Sequence, residues 1–259
     1  MRKKILPLIT IVLFFVTVIS CVMIADTMMR SNAEIEDFES LAVFTQTQTE
    51  NVTEETQNNS QPSQAEPEQI FTRNLAPLFE KNNDCIGWIC IPDTTVDYPI
   101  MHTPQEPQKY LHKNFDCEYS SSGVPFMQSN NTLDSDNLII YGHNMKNGTI
   151  FADITKYREE SFYIEHPTIE CETDRGLKLY TVFAVAQVKN NNDWYCFVTA
   201  ADESDYSNKV EEIRSCALYD TGIIPEYGQQ LITLSTCYGA TKSDRMIVVG
   251  VEISTGRKK

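Results

Sequence analysis

The chain has 259 residues and a formal net charge of −15, from 36 acidic and 21 basic side chains. This length suits one sizeable domain with appendages. The acidic balance argues against nucleic acid as a partner, because a nucleic-acid surface needs clustered Lys and Arg side chains. The sequence contains no GxGxxG motif, no P-loop and no internal repeat, which disfavours the common nucleotide-binding folds.

An apolar run follows a basic tip at the N-terminus. Residues 2–4 are Arg-Lys-Lys, and residues 5–25 are apolar apart from one proline and three hydroxyl side chains. Such a run can cross a bilayer core of ~30 Å as a helix, and the preceding cations keep the N-terminus inside. We therefore predict a cytoplasmic tip at 1–4, a transmembrane anchor at 5–25 and a main body outside the cell.

Two other interpretations of this run stay open. It could be a cleavable signal peptide, although no clear small-x-small site follows and the run is long for one. The stretch Val18-Ile-Ser-Cys21 also resembles a bacterial lipobox, in which Cys21 would be lipidated after cleavage. Every version except the cleaved and released one leaves the protein tethered to the outer face of the membrane.

The composition changes after the apolar run. Residues 26–72 are rich in Gln, Asn, Thr, Ser and Glu, with ten acidic side chains against one basic one. Such a segment cannot bury enough apolar surface to offset the entropy cost of ordering. We predict an acidic disordered stalk over 26–69, in which 35–44 could extend the membrane helix by a turn or two. The remaining domain then spans 70–259.

Short strands dominate the predicted domain. Helical spacing of apolar residues predicts one helix at 70–81 and an amphipathic helix at 204–218. Many short strands with few helices favour a β-barrel or sandwich over a parallel α/β sheet. The predicted strands cover 87–91, 97–101, 123–127, 137–143, 168–172, 178–189, 194–199, 231–236 and 245–253.

Three predicted strand ends carry chemically useful side chains. Cys237 follows the strand over 231–236, Arg245 opens the next strand, and His143 ends the strand that begins at 137. A thiol, an imidazole and a fixed positive charge are the nucleophile, proton carrier and oxyanion stabiliser that acyl transfer needs. Taken singly, each of these residues is more often structural, so the argument depends on their arrangement.

These residues also resemble a known family. Thr233-Leu-Ser-Thr-Cys237 followed by Arg245 resembles the T-L-x-T-C…R signature of sortases, and Tyr141-Gly-His143 resembles their catalytic-histidine segment. The segments 84–92, 96–100 and 141–148, together with Phe151, resemble class B sortases in particular. The resemblance covers roughly residues 69–253. It implies a mainly β fold: a closed sortase-type β-barrel with an N-terminal helical segment and one amphipathic helix before the cysteine strand.

The resemblance implies a membrane-anchored cysteine transpeptidase. Such an enzyme cuts a C-terminal sorting motif of surface proteins after Thr and passes the acyl group to an amine of a peptidoglycan precursor or a pilin. Cys237 would be the nucleophile, His143 the general acid and then base, and Arg245 an oxyanion or substrate contact, with the N–H of Tyr238 as second donor. The resemblance also places Ser235, Thr236, Tyr238 and Asn114 at the substrate. We expect no cofactor and no metal.

Other functions remain possible on sequence grounds. The same site could serve a cysteine hydrolase, or it could be degenerate in a non-catalytic surface assembly factor. The L,D-transpeptidases also pair Cys, His and Arg, but their histidine lies close before the cysteine, whereas His143 lies 94 positions earlier. The sequence does not name the sorting motif, the acceptor amine or the housekeeping, haem-protein or pilus role.

The remaining histidines and cysteines are predicted to be structural. His102, His112 and His166 lie in loop-like contexts and are expected on the surface. Six cysteines lie in the domain besides Cys237, and their spacing does not select a disulfide pairing. We expect mostly free, buried thiols at these six positions: Cys85, Cys90, Cys117, Cys171, Cys196 and Cys216.

Overall fold

The computed structural model describes residues 2–45, with side chains from residue 13 onward, and residues 73–253. The chain divides into two compact units, Met1–Ser40 and Leu41–Lys259. Four α-helices are described: α1 (Arg2–Thr45), α2 (Ala76–Lys81), α3 (Glu160–Glu165) and α4 (Glu203–Ser215). Short 3₁₀ helices cover Lys109–Leu111, Asp153–Arg158 and Asp193–Cys196.

Helix α1 is longer than the sequence predicts. Its segment Leu13–Thr45 is long and apolar enough, by length and composition, to cross a membrane. A stalk was predicted from residue 26, but the chain stays helical over 26–45, a stretch that includes the helical extension considered for 35–44. Met28, Met29 and Ala33 are good helix formers, and Arg30 pairs with Asp26 at 3.0 Å one turn apart. The rest of the predicted stalk, 46–69, lies outside the described residues.

Eight strands form a closed barrel in the order β1-β2-β3-β4-β7-β8-β6-β5, and β5 pairs with β1 to close it. The predicted closed β-barrel is confirmed. The strands are β1 (Cys85–Cys90), β2 (Asp97–Met101), β3 (Phe126–Met127), β4 (Asn137–Tyr141), β5 (Thr168–Thr173), β6 (Gly176–Lys189), β7 (Leu231–Cys237) and β8 (Asp244–Glu252).

Two neighbouring strand pairs in this barrel are parallel. They are β2 with β3 and β4 with β7, whereas the other six pairs are antiparallel. Parallel neighbours need a long crossover, and here β5, β6 and α4 all lie between β4 and β7 in sequence. The carboxyl ends of β4 and β7 consequently lie side by side at one edge of the barrel.

Helix α4 confirms the predicted amphipathic helix before the cysteine strand. The carboxylate of Asp202 accepts from the N–H of Asp205 at 2.9 Å and caps the first turn. Tyr206, Val210 and Ile213 form the buried stripe. They join a cluster that also contains Leu231, Ile247 and Val249 from β7 and β8. Each such aliphatic side chain contributes about 1.5–3 kcal/mol by burial, so this cover holds β7 and β8 in place.

One predicted strand is a 3₁₀ helix. The stretch 194–199 was expected to be extended, but the chain turns through Asp193–Cys196 instead. Asn192 starts this turn, because its side-chain oxygen accepts from the N–H of Trp194 at 2.9 Å. Trp194 and Phe197 are buried against the outer face of the barrel, in the same cluster as α4. The aromatic run therefore covers the barrel rather than adding a strand to it.

All eight cysteines lie in the described part of the chain and are free thiols. The prediction of mostly buried thiols is wrong for Cys117, Cys196 and Cys216, which are exposed because they lie in turns or at helix ends rather than in strands. Cys85 and Cys171 are buried strand residues. Burial raises the pKa of each of these two thiols to about 12, so they stay protonated and unreactive at neutral pH.

Candidate active site

The pairing of β4 with β7 aligns the two strand ends that carry the candidate acid and nucleophile. Tyr141 is the register partner of Ser235. Beyond that pair, the N–H of Gly142 donates to the Ser235 carbonyl at 3.1 Å, and the Thr236 hydroxyl donates to the Gly142 carbonyl at 2.8 Å. His143 and Cys237 each come two residues after the Tyr141–Ser235 pair, so they occupy matching positions at the barrel edge.

The pairing of β7 with β8 adds the positive charge. Cys237 and Arg245 are direct partners at the end of this antiparallel ladder. Residues directly opposite each other in such a ladder project to the same face of the sheet. The exposed thiol of Cys237 and the guanidinium of Arg245 therefore share one face.

Alternate residues of β7 lie on that face, and they run from the protein core to the solvent. Thr233 is buried, and its hydroxyl accepts from the indole N–H of Trp194 at 3.0 Å. Two residues later, the Ser235 hydroxyl lies 2.8 Å from the Tyr195 hydroxyl. Cys237 comes two residues after that and is exposed. Because side chains alternate between the two faces of a strand, the thiol lies on the same face as these two hydrogen-bonded hydroxyls, at the end exposed to solvent.

A cleft of about 400 Å³ contains these side chains. Aromatic rings form one wall, with the Tyr141 ring 5.6 Å from Phe126 and 6.0 Å from Tyr195 between centroids. Burial raises the pKa of both tyrosines, so their hydroxyls remain protonated at neutral pH. The cleft is lined by Pro107, Gln108, Leu111, Phe126, Gln128, Ser129, Tyr141, Gly142, His143, Asn190, Tyr195, Ser235, Thr236, Cys237 and Arg245.

A main-chain carbonyl orients His143. Its Nε2 lies 2.9 Å from the Leu111 carbonyl oxygen, which can only accept, so Nε2 carries the proton. Leu111 ends a 3₁₀ turn that is anchored by Lys109, whose ammonium pairs with Asp84 at 2.6 Å. The sequence does not reveal this partner of His143, because every residue has a main-chain carbonyl and no residue type marks the one that binds.

Asn144 is a second site residue that the sequence analysis missed. Its side-chain amide donates to the Cys237 carbonyl at 3.0 Å, although the two residues are far apart in sequence. The bond ties the residue after the candidate acid to the main chain of the candidate nucleophile. The indication that the sequence offered for Asn144 was its position directly after His143.

The guanidinium of Arg245 is partly engaged by its own loop. Its Nη1 donates to the carbonyls of Lys242 and Asp244, each at 2.9 Å. No other hydrogen bond of this guanidinium is formed within the part of the chain that the structure describes, so Nε and Nη2 can serve a ligand in the cleft. Arg245 is therefore held close to the thiol with donor capacity to spare.

The loop between β7 and β8 corrects one sequence-based hypothesis. The N–H of Tyr238 was expected to be a second oxyanion donor, but it donates to the Asp244 carbonyl at 3.2 Å. The turn uses this group because the chain must reverse within a few residues. The hydroxyl of Tyr238 accepts from the guanidinium of Arg158 at 3.3 Å. Tyr238 is also absent from the residues that line the cleft.

Asp244 fastens this loop. Its carboxylate accepts from the N–H of Thr241 at 2.7 Å and pairs with the ammonium of Lys189. The Lys189 hydrogen bond, followed by those from Thr241, lowers the pKa of Asp244 to about 2. Gly239 has φ of +121°, and a Cβ there would lie 2.6 Å from the Asp244 Cβ. The loop therefore requires glycine at this position.

The structure does not bring Asn114 to the cleft. Its side-chain oxygen accepts from the N–H of Glu118 at 2.8 Å and closes a local turn, and Asn114 is not among the lining residues. The substrate contact expected of Asn114 is therefore not supported by its position and stays a prediction. Short polar side chains often close turns in this way, and the sequence alone does not distinguish the two uses.

The surface prediction for the other histidines holds only for His112, which is exposed. His102 is half-buried, its Nε2 is enclosed without a hydrogen-bond partner within the described residues, and burial lowers its pKa. The ring of His166 is half-buried, with Nδ1 3.1 Å from the Pro92 carbonyl. His102 and His166 each follow or precede a barrel strand, and this explains why they are partly covered.

Comparison with known proteins agrees with this geometry. Residues 89–253 match the sortase domain family. Sortase B of Listeria monocytogenes is 36% identical over 184 residues, covering 68% of this chain and 72% of the relative. The chain belongs to the sortase family.

Solved structures place it among class B sortases. The Staphylococcus aureus sortase B–substrate complex superimposes with a TM-score of 0.66 at 25% identity, covering 71% of this chain and 86% of that one. Clostridium perfringens sortase B gives a TM-score of 0.64 at 31% identity, covering 69% and 98% of the two chains. Sortase B proteins are cysteine transpeptidases, and this chain is accordingly a sortase-type cysteine transpeptidase.

Proposed function

We propose that this protein cuts a C-terminal sorting motif of surface proteins and transfers the acyl group to a cell-wall or pilin amine. The observation that carries the proposal is the placement of Cys237, His143 and Arg245 at neighbouring strand ends around one cleft. The thiol is exposed, whereas the thiols of Cys85 and Cys171 are buried and inert. Among these, Cys237 alone combines access with an adjacent imidazole and guanidinium.

Acylation begins with the thiolate of Cys237. It attacks the carbonyl carbon of the motif's threonine, and the electron pair of the carbonyl moves onto its oxygen. Arg245 stabilises this oxyanion with the donors that its loop leaves unused, since a fixed charge in a partly dry cleft acts strongly. When the tetrahedral intermediate collapses, the C–N bond breaks and His143 gives a proton to the leaving amine. The product is a thioester on Cys237.

In the transfer of the acyl group to the amine, the proton moves in the opposite direction. The neutral imidazole of His143 takes a proton from the incoming amine as its nitrogen attacks the thioester carbonyl, and Cys237 leaves as the thiolate. Because Nε2 of His143 stays on the Leu111 carbonyl, Nδ1 is the nitrogen that exchanges the proton in both steps. If water replaces the amine, the same site acts as a hydrolase, so acceptor access decides between the two outcomes.

The cleft gives separate roles to the two signature hydroxyls. Ser235 lines the cleft and shares a hydrogen bond with Tyr195, so we assign it to substrate contact beside the aromatic wall. The Thr236 side chain is buried, and its hydroxyl is engaged by the Gly142 carbonyl. We therefore assign Thr236 to holding β7 against the His143 segment, although it also borders the cleft.

We also propose that the protein is a single-pass membrane protein with its N-terminus inside and the catalytic domain outside. The basic residues at 2–4 and the apolar helix segment that follows support this orientation. An enzyme that joins surface proteins to a cell-wall or pilin amine needs its cleft on the outer side, where both substrates are found. Protease accessibility of the domain in intact cells tests this orientation.

The decisive experiment incubates the full-length chain in detergent with a panel of quenched sorting-motif peptides, with and without a nucleophilic amine. Cys237→Ala removes the proposed nucleophile, and Cys216→Ala is the matched control, because that exposed thiol lies at the end of α4. Cleavage lost only in Cys237→Ala, with an amine-linked product, supports transpeptidation. Release of free acid alone, even with excess amine, supports the hydrolase. Equal cleavage by both variants would contradict the proposal.

A further inference from the structure

A second imidazole stacks on His143. The ring centroids of His112 and His143 are 5.5 Å apart, and their planes are inclined by only 23°. His112 directly follows Leu111, whose carbonyl binds His143 Nε2. Two consecutive residues of one segment therefore contact the same imidazole, one through its edge and the other through its face.

The segment that carries His112 is fixed on several sides. The N–H of Ser120 donates to the His112 carbonyl at 3.1 Å, and the N–H of Val124 donates to the Tyr110 carbonyl at 3.1 Å. Gly123 packs so close that a Cβ there would lie 2.5 Å from the Tyr110 carbonyl oxygen. The buried ring of Tyr110 anchors the turn below. The main chain thus presents the His112 ring to His143 from a rigid base.

Within the described residues, the contact with His143 is the only polar or aromatic contact of the His112 side chain.

We propose that His112 is a positioning residue: its stacked ring limits the rotation of the His143 ring, so that Nε2 stays on the Leu111 carbonyl and Nδ1 stays available for the proton exchange. The catalytic consequence of this contact rests on the proposed function, but the contact itself does not. A ring that is held at one edge and on one face has fewer orientations to lose before the reaction.

The first test does not depend on activity. The chain contains only four histidines, so full-length protein labelled with ¹³C at histidine Cε1 gives few signals to assign. His112→Ala removes the stacked ring, and we expect the His143 signal to shift and broaden as its ring gains freedom, whereas His112→Phe, which keeps a flat ring, should leave it narrow. His166→Asn is the matched control, because its ring contacts Phe162 and the Pro92 carbonyl instead. An unchanged His143 signal in His112→Ala overturns the proposal.

The second test measures positioning through activity. His112→Asn lacks the ring, and we expect a lower kcat for peptide cleavage with an unchanged KM, which His112→Phe restores. A native kcat in His112→Asn would contradict the proposal. Inactivity of the unsubstituted protein would instead count against the proposed function, because the ¹³C measurement does not depend on activity.

Discussion

The side-chain amide of Asn144 donates to the main-chain carbonyl of Cys237 at 3.0 Å. The bond crosses from the loop after β4 to the end of β7, where the ladder between these strands has run out. It ties together the two main-chain segments that carry the proposed acid and the proposed nucleophile. Sequence signatures name the reacting groups, whereas contacts of this kind hold them in place.

Asn144→Ala should lower kcat/KM by about three- to tenfold, the equivalent of losing one hydrogen bond of about 0.5–1.5 kcal/mol in the transition state. The rate should fall because the main chain at Cys237 is held less firmly, not because a reacting group is lost. Steady-state cleavage of the best peptide measures the effect. Lys146→Ala, an exposed change on the same loop, should leave the rate unchanged. Equal losses in both variants would mean that the loop matters only as a whole.

Arg245→Lys should reduce kcat by about 10²–10³-fold, close to the effect of Arg245→Ala, because one ammonium cannot reproduce the forked donors. Nη1 of the native guanidinium already donates to two loop carbonyls, so the remaining donors of the guanidinium are the ones available to the substrate. Single-turnover acylation, followed by mass spectrometry of the thioester, isolates the affected step. Near-native acylation by the lysine variant would show that charge alone suffices.

Asp244→Asn should loosen the loop between β7 and β8. The carboxylate loses its charge and with it the Lys189 ion pair, and we expect faster amide hydrogen exchange at Thr241 with little change in the barrel strands. Gly239→Ala should act similarly by crowding Asp244. If Thr241 exchanges at the native rate in both variants, the carboxylate does not control the loop.

The Asp244 carboxylate should also make the stability of the protein depend on pH. The pKa of Asp244 is lowered to about 2 in the folded protein, below its unfolded value. Its contribution to stability is therefore complete above pH ~4 and is lost as the pH falls from there toward about 2. Thermal unfolding between these pH values should show a smaller acid loss in Asp244→Asn than in the unsubstituted chain. Parallel curves would contradict this assignment.

Thr233→Val should cost about 1–3 kcal/mol in free energy of unfolding, even though the two side chains have the same shape. The Thr233 hydroxyl accepts from Trp194 and donates to the Asn137 side chain at 2.7 Å, all within the buried region. The valine leaves two buried polar groups without a partner. Denaturant unfolding measures the change, and Ile232→Val, a small apolar trim on the opposite face of β7, provides the comparison.

The fold class and the strands near the site could be predicted from the sequence. Alternating apolar and hydroxyl side chains identify β7, and the apolar run 246–251 identifies β8. The 3₁₀ turn at Asp193–Cys196 could not be predicted, since an aromatic run suits a strand equally well until its burial under α4 is known. The sequence offered 35–44 as a helical extension but not the whole helical stretch 26–45, because polar composition does not exclude a helix that continues from an apolar one.

The proposed reacting groups of the site could be named from the sequence, but many of the contacts that hold them could not. Cys237, His143 and Arg245 are recognisable because their chemistry is in their side chains. The Leu111 carbonyl and the stacked ring of His112 depend on how a distant loop folds back, and no local pattern encodes that. The Tyr238 N–H was misjudged for the same reason: a turn elsewhere in the loop already uses it.

The place of β7 in the barrel has a consequence for biosynthesis. This strand and β8 are the last to be made, yet they fill the gap between β4 and β6. A nascent chain without them exposes two bare strand edges, which is a hazard for aggregation. Such a chain also holds His143 without Cys237. The proposed nucleophile therefore joins the proposed acid only when the last two strands close the barrel.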